Sequence, residues 1–212
     1  MTVVARTKPF TTVPLPPAAP GQRIGLLGGS FNPAHEAHLL ISTISLKRLG
    51  LDKVWWLVTP GNPLKAPDEA TSIEARVTEA RLVASDHRIV VTDFERHIGS
   101  HYTVETLSFL KAVRPGVRFV WLMGADSLAT CHRWRRWRTI FRMMPIAVID
   151  RPGYGLVARA SPAARAFSAS RIAGREAGGL AGRPAPAWVF LTGPLSAQSS
   201  TKIRAARRAI PK

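Results

Sequence analysis

The stretch Gly28-Gly29-Ser30-Phe31-Asn32-Pro33-Ala34-His35-Glu36-Ala37-His38 decides the reading of this chain. The apolar run Ile24 to Leu27 precedes it and reads as a short buried strand. An apolar-rich helical pattern, Leu39 to Leu49, follows it. A strand, a glycine turn and a helix start in succession form a phosphate site, because free backbone N–H groups and the positive end of the helix dipole meet there. Gly28 and Gly29 permit a tight turn and close approach of a ligand. His35 and His38 are three apart at the helix start and share a face, so both imidazoles project beside the anion site. A pair of capping histidines and a pair of zinc ligands are competing readings. The zinc helix motif spaces its histidines i, i+4 around a general base, and no further Cys or His cluster completes a four-ligand set. No metal ligation by the protein is expected.

The chain has 212 residues, enough for one domain of ordinary size with a real core, and 46% of them are hydrophobic. No apolar run approaches a membrane span, and the N-terminus lacks the apolar segment of a secretory signal. The single cysteine, Cys131, excludes an intrachain disulfide framework. A cytoplasmic protein without a membrane partner is expected. The formal net charge is +17, from 30 basic and 13 acidic residues. These basic residues are spread along the chain rather than gathered in one block, which suits a polyphosphate pocket better than a dedicated nucleic-acid surface. No nucleic-acid partner is expected. The sequence does not set the oligomeric state, and a homodimer is carried beside a monomer.

Residues 1–20 contain Pro14, Pro16, Pro17 and Pro20 with little periodicity and read as an extended, mobile arm; 21–212 read as a single domain. Val54 to Val58 is a second buried strand, followed by a loop carrying Lys65, a residue able to meet a phosphate as a point charge. Thr71-Ser72-Ile73-Glu74 is a capping box opening a helix to about Ala84. Arg88 to Thr92 reads as a third strand. Thr103 reads as the N-cap of a helix running to about Val113. Val117 to Met123 is the fourth and most apolar strand, and Gly124-Ala125-Asp126-Ser127-Leu128 follows at its end. Gly124 lets a ligand come close, and Asp126 is placed to accept from a ribose hydroxyl. Trp134 and Trp137 are i, i+3 and are expected on one helix face. Met144 to Ile149 is a fifth strand, ending in Arg151-Pro152-Gly153-Tyr154. The segment 156–186 reads as a variable excursion with one short helix and poor order. Trp188 to Leu191 is a sixth strand. Ser199-Ser200-Thr201-Lys202-Ile203-Arg204 then opens a final helix, where hydroxyls and free N–H groups form a second phosphate cradle and Arg204 can grip a phosphate bidentately.

Alternating strands and helices argue for an α/β fold, a doubly wound parallel sheet of about six strands. Each motif follows the C-terminal end of a strand, and in an open sheet that is one crevice. The chain offers neither a nucleophile elbow nor a Walker pattern. Direct transfer between two bound substrates fits best.

Gly29-Ser30-Phe31-Asn32-Pro33-x-His35-x-x-His38 resembles the GSFxPxHxGH signature of the nucleotidyltransferase superfamily, with Ala37 where that signature has Gly. Asn62-Pro63-x-Lys65, Tyr102-Thr103-x-x-Thr106-Leu107, Gly124 to Leu128, Trp134, Arg151 to Tyr154 and Ser199 to Arg204 occur in the order of the bacterial nicotinate-nucleotide adenylyltransferases. The resemblance covers nearly all of the chain after residue 20. It implies transfer of the adenylyl group of ATP to nicotinate mononucleotide, giving deamido-NAD and pyrophosphate, with Mg²⁺ accompanying ATP. It implies catalytic roles for His35, His38, Lys65 and Arg204. ATP contacts would come from Gly28, Gly29, Ser30, Phe31, Gly124, Asp126, Ser200 and Thr201. The pyridine nucleotide would meet Thr103, Trp134 and Arg151, with Trp134 stacking on its ring. Arg135 stands where the family often has an aromatic residue. The alternatives are a phosphopantetheine or nicotinamide mononucleotide acceptor, or a basic nucleic-acid-binding protein using the Arg/Trp stretch.

Overall fold

The computed structural model describes residues 13–60, 71–194, 196 and 198–208. Its centre is a seven-stranded sheet in which every pairing is parallel. The strands are β1 (Arg23–Gly29), β2 (Lys53–Val58), β3 (Ile89–Thr92), β4 (Arg118–Gly124), β5 (Ile146–Ile149), β6 (Arg171–Ile172) and β7 (Trp188–Leu191), in the order β3-β2-β1-β4-β5-β7-β6. The strand order turns back between β1 and β4, so the crevice of an open α/β sheet falls at their C-terminal ends. The expected six strands are all present, and the seventh is the two-residue edge strand β6.

Strand side chains alternate between faces, and each central strand therefore feeds two cores. Leu26, Trp55 and Trp121 lie in the core on one face, while Leu27, Trp56 and Leu122 lie in the core on the other. The first core is covered by α3 (Thr103–Val113), α5 (Trp137–Met143), α6 (Gly155–Arg159) and α7 (Pro162–Ala166), through Leu107, Leu110, Phe141, Ala158 and Ala163. The second is covered by α1 (Glu36–Arg48) and α2 (Ile73–Val83), through Ile41, Ile44, Val77 and Ala80. A short helix, α4 (Ala125–Thr130), follows β4 directly, and α8 (Ser200–Arg208) closes the described chain.

Several local expectations shift. The N-cap of α2 is Ser72 rather than Thr71, its hydroxyl accepting from the Ala75 N–H at 3.1 Å. Thr103 is the first residue of α3, and Tyr102 holds the cap position without a side-chain cap bond. Trp134 and Trp137 do not share a helix face: Trp134 is extended (φ −75°, ψ 147°), Arg136 is left-handed (φ 51°), and α5 begins only at Trp137. Trp137 packs edge-on against Phe141 and Phe167, as a core residue. The segment 156–186 is not an excursion around one helix. It is a series of short elements, α6, α7, β6 and 3-10 turns, anchored by buried Ala163, Ala164 and Leu180. Of the Pro-rich segment, residues 13–20 are described and lie against the body: Val13, Leu15 and Ala18 pack on the first core, and Pro16 is buried.

Candidate active site

The turn after β1 is built around Phe31. Its φ of 47° is in the left-handed region, which a bulky aromatic rarely adopts. Burial offsets that strain. The ring is fully buried, stacked on Trp56 with centroids 5.0 Å apart and tilted against His38 at 4.6 Å. The Phe31 side chain is therefore core, not a lining of the crevice, and only its backbone is left to meet a nucleotide.

His35 is the N-cap of α1 in extended conformation. Its N–H donates to Nδ1 of His38 at 3.2 Å, so His38 does cap the helix. A neutral imidazole that accepts at Nδ1 carries its proton on Nε2. The two rings lie 4.0 Å apart, centroid to centroid. Burial is the main cause that pushes His38 down to about 3, with His35 and Arg151 adding to it. Burial likewise takes His35 down to about 4, with Arg151 lowering it further and Asp126 opposing. Both rings are thus neutral hydrogen-bonding groups at neutral pH. Nδ1 of His35 is buried and has no hydrogen-bond partner among the described residues.

The end of β4 supplies the next pair. A Cβ on Gly124 would collide with Oδ1 of Asp126 and lie 2.9 Å from Cδ of Arg151. The glycine makes room for these two side chains, whose charged atoms are 3.7 Å apart. That distance is too long for a hydrogen bond, and Oδ1 of Asp126 is buried without a hydrogen-bond partner among the described residues. It is a buried acceptor whose nearest cationic neighbour is Arg151.

The N-terminus of α8 docks on the turn that carries the histidines. The Ser200 hydroxyl donates to the Pro33 carbonyl at 3.0 Å, and Nη1 of Arg204 donates to the Asn32 carbonyl at 2.6 Å. The Gln198 side-chain oxygen accepts from the Glu36 N–H at 3.1 Å, and its carbonyl accepts from Arg151.

Also lining the cavity, Trp134 meets Trp121 edge-on at 6.5 Å. Arg135, the residue in the aromatic position, stacks its guanidinium over the Tyr102 ring at 4.6 Å and pairs with Glu105 at 3.4 Å. It supplies a flat cationic surface where the family often has an aromatic residue. Ala37 is buried and does not line the crevice, so its methyl does not crowd a ligand there.

These groups surround one cavity of ≈ 580 Å³, ample for a nucleotide. Gly28, Gly29, Ser30, His35 and His38 line it. So do Gly124, Asp126, Trp134, Arg151 and Thr103, together with Ser200 and Thr201. Arg204 is not among the residues that line the cavity; its guanidinium meets the Asn32 carbonyl and, at 3.5 Å, the cavity-lining Thr201 hydroxyl. Lys65 lies outside the described residues. Three contributors escaped the sequence reading. Trp121 lies on an apolar strand and signals only core. Glu95 lines the cavity and accepts from Thr106 at 2.6 Å, but a single Glu in a polar stretch carries no signal. Arg76, six per cent exposed, donates to three backbone carbonyls behind the β1 turn. Cys131 is buried, and burial pushes its thiol up to about 12, so it supplies no thiolate nucleophile.

Two helix starts facing one nucleotide-sized cavity, on a 3-2-1-4-5 parallel sheet, define a nucleotidyltransferase, and residues 26–206 match the cytidylyltransferase-like family model. The particular family follows from its relatives. A probable nicotinate-nucleotide adenylyltransferase of Methylorubrum extorquens is 58% identical over 86% of this chain and 98% of the relative. One of Agrobacterium fabrum is 53% identical over 85% of this chain and 97% of the relative. The chain belongs to the nicotinate-nucleotide adenylyltransferase family. Its fold is shared by the nicotinic acid mononucleotide adenylyltransferase of Plasmodium falciparum, solved with NaAD, at a TM-score of 0.64 and 17% identity, covering 87% of this chain and 83% of that one. Among the described residues no helix is long and apolar enough to cross a membrane.

Proposed function

We propose that the cavity joins ATP to nicotinate mononucleotide, forming nicotinate adenine dinucleotide and releasing pyrophosphate. The observation that carries the reading is the convergence of the His35–His38 pair with Ser200 and Thr201 on one cavity that also holds Asp126 and Arg151.

A phosphate oxygen of the mononucleotide attacks the α-phosphorus of ATP. The new P–O bond forms as the bond to the β-phosphate bridging oxygen breaks, and pyrophosphate leaves with that electron pair. The attacking phosphate is already ionised near neutral pH, so no strong base is needed. Alignment and charge stabilisation remain.

The chain's own residues suit those two tasks. The Nε2–H of His38 donates to the transferring phosphoryl group, and His35 lies beside it. A triphosphate next to the pair favours protonation of both rings, raising their affinity for protons as negative charge arrives. Ser30, the glycine backbone and the Phe31 N–H take phosphate oxygens at the α1 start, and Ser200 and Thr201 take them at the α8 start. Asp126 accepts from a ribose hydroxyl. Trp134 stacks on the pyridine, and Thr103 and Arg151 hold that substrate's polar groups. Lys65 adds positive charge. Mg²⁺ arrives on the ATP polyphosphate, as an oxygen-preferring ion that keeps waters and substrate phosphates; the described residues hold no group of three or more His, Cys, Asp or Glu side chains to cage it. The reaction is assigned to the cytoplasm.

The test is pyrophosphate release with ATP, Mg²⁺ and, in turn, nicotinate mononucleotide, nicotinamide mononucleotide and phosphopantetheine. Turnover is expected to be fastest with the first. Faster turnover with either other acceptor, or none with any, overturns the assignment.

A further inference from the structure

Arg76 is a buried cation with no role in the reaction described above. It sits on the first turn of α2, six per cent exposed. Its Nη1 donates to the Ser30 carbonyl at 2.7 Å and the Thr59 carbonyl at 2.8 Å, and Nη2 donates to the Pro60 carbonyl at 3.4 Å. Burial lowers its affinity for a proton, and Glu74 only partly opposes this. A guanidinium still holds its charge at neutral pH. The geometry is that of a fork gripping the chain just past two adjacent parallel strands, β1 and β2. Ser30 and Thr59 both line the cavity.

Peptide planarity gives this grip a direction. In a trans peptide the C=O and the following N–H point opposite ways. Drawing the Ser30 carbonyl toward Arg76 turns the Phe31 N–H away from Arg76. The Phe31 ring is locked in the core, so this N–H is what Phe31 can offer a phosphate. Among the described residues its hydrogen bonds go to neutral carbonyls rather than to a carboxylate. Glu74 offsets the charge only in part, and the remainder adds positive potential at the turn.

We propose that Arg76 is a positioning residue for ATP: it fixes the Ser30–Phe31 peptide against the end of β2 and leaves its charge available to the polyphosphate. This deepens the adenylyltransferase reading and rests on it. A residue that only braces the fold would lower the folded fraction and affect both substrates alike. A residue that positions the phosphate turn acts on ATP selectively.

The test compares the wild-type chain with Arg76→Met, which keeps an apolar stem, and Arg76→Lys, which keeps charge without the fork. Thermal unfolding is followed by circular dichroism, and assays are run where each variant is folded. Wild-type turnover is the control for the underlying reaction: its absence sinks that reaction, whatever Arg76 does. With turnover present, Arg76→Met is expected to lower kcat/KM for ATP on the order of tenfold to a hundredfold, the scale of a misplaced binding element. KM for the mononucleotide should stay unchanged. Calorimetric binding of a non-hydrolysable ATP analogue should weaken in parallel, and added guanidinium ion at low millimolar concentration should restore part of it. Arg76→Lys should fall between. Unchanged ATP parameters in folded Arg76→Met, or equal losses for both substrates, overturn the proposal. If Arg76→Met does not fold, Arg76→Lys decides by the same split between substrates.

Discussion

Arg204 and Asn32 stand 172 residues apart, and Nη1 of the first donates to the carbonyl of the second at 2.6 Å. With the bond from Ser200 to Pro33, this ties the start of α8 to the turn that carries His35. The two helix starts at the cavity are thereby linked. The arginine makes this link without itself lining the cavity, although its Nη2 lies 3.5 Å from the cavity-lining Thr201 hydroxyl.

Replacing Arg204 with Ala removes a hydrogen bond from a charged donor, a contribution of roughly 1.5–3 kcal/mol. The Ser200 link remains, so the fold is expected to persist with a modest drop in melting temperature. The KM for ATP should rise about tenfold, the equivalent of roughly 1.4 kcal/mol, as the α8 start drifts from the turn. Steady-state kinetics at saturating mononucleotide measures this. An unaltered KM for ATP would remove the link between that bond and nucleotide binding.

Replacing His38 with Ala removes the Nε2–H donor proposed for the phosphoryl group. Loss of one such donor typically lowers kcat by about 10²–10³. The ring also packs at a tilt against Phe31 and accepts from the His35 N–H, so some stability is lost with it. Turnover must therefore be measured below the variant's unfolding transition. A folded variant with wild-type kcat would falsify the role given to His38.

Much of this site was legible because its parts are local. The glycine turn with His35 and His38, the Gly124–Asp126 corner and the Ser200–Thr201 start each sit at a strand-to-helix junction, which marks them as candidates, and the family resemblance supplied their roles. What was not legible depends on tertiary packing. Phe31 belongs to a phosphate-binding signature, yet its ring turned inward because Trp56 offered a buried partner. Trp134 and Trp137 have helical spacing, but Arg136 in the left-handed region breaks the helix between them. Arg76 looks in sequence like any surface arginine on a helix. Only the meeting of two strand ends shows why it is buried.

Gly28 illustrates the same dependence. A Cβ there would lie 2.6 Å from Cη2 of Trp121, so Gly28→Ala forces the indole to move. Overpacking of this kind costs about 1–3 kcal/mol. Trp121 packs on Trp134, and the displacement reaches the end of the cavity proposed to hold the pyridine. Denaturant unfolding should show the loss of stability, and the KM for nicotinate mononucleotide should rise more than that for ATP. Equal stability of the two proteins would mean the indole can shift aside without cost.

Glu95 makes stability depend on pH. Burial pushes its carboxyl up from 4.5 to about 7, and the donation from Thr106 only partly opposes this. Between those pH values the folded chain holds a proton that the unfolded chain has released. The stability tied to that proton is complete below pH 4.5 and is lost as pH rises through 7. At most it amounts to roughly 3 kcal/mol. Glu95→Gln keeps the shape and an acceptor for Thr106 but cannot ionise. Its melting temperature should therefore exceed that of the wild type at pH 8, with the gap closing toward pH 4.5. The histidines titrate the other way: their depressed values make the folded state bind fewer protons below pH 6.5, so acid weakens the fold through them. Both proteins share that loss, and it cancels in the comparison. A gap between the two melting curves that stays constant with pH would show that Glu95 does not titrate in this range.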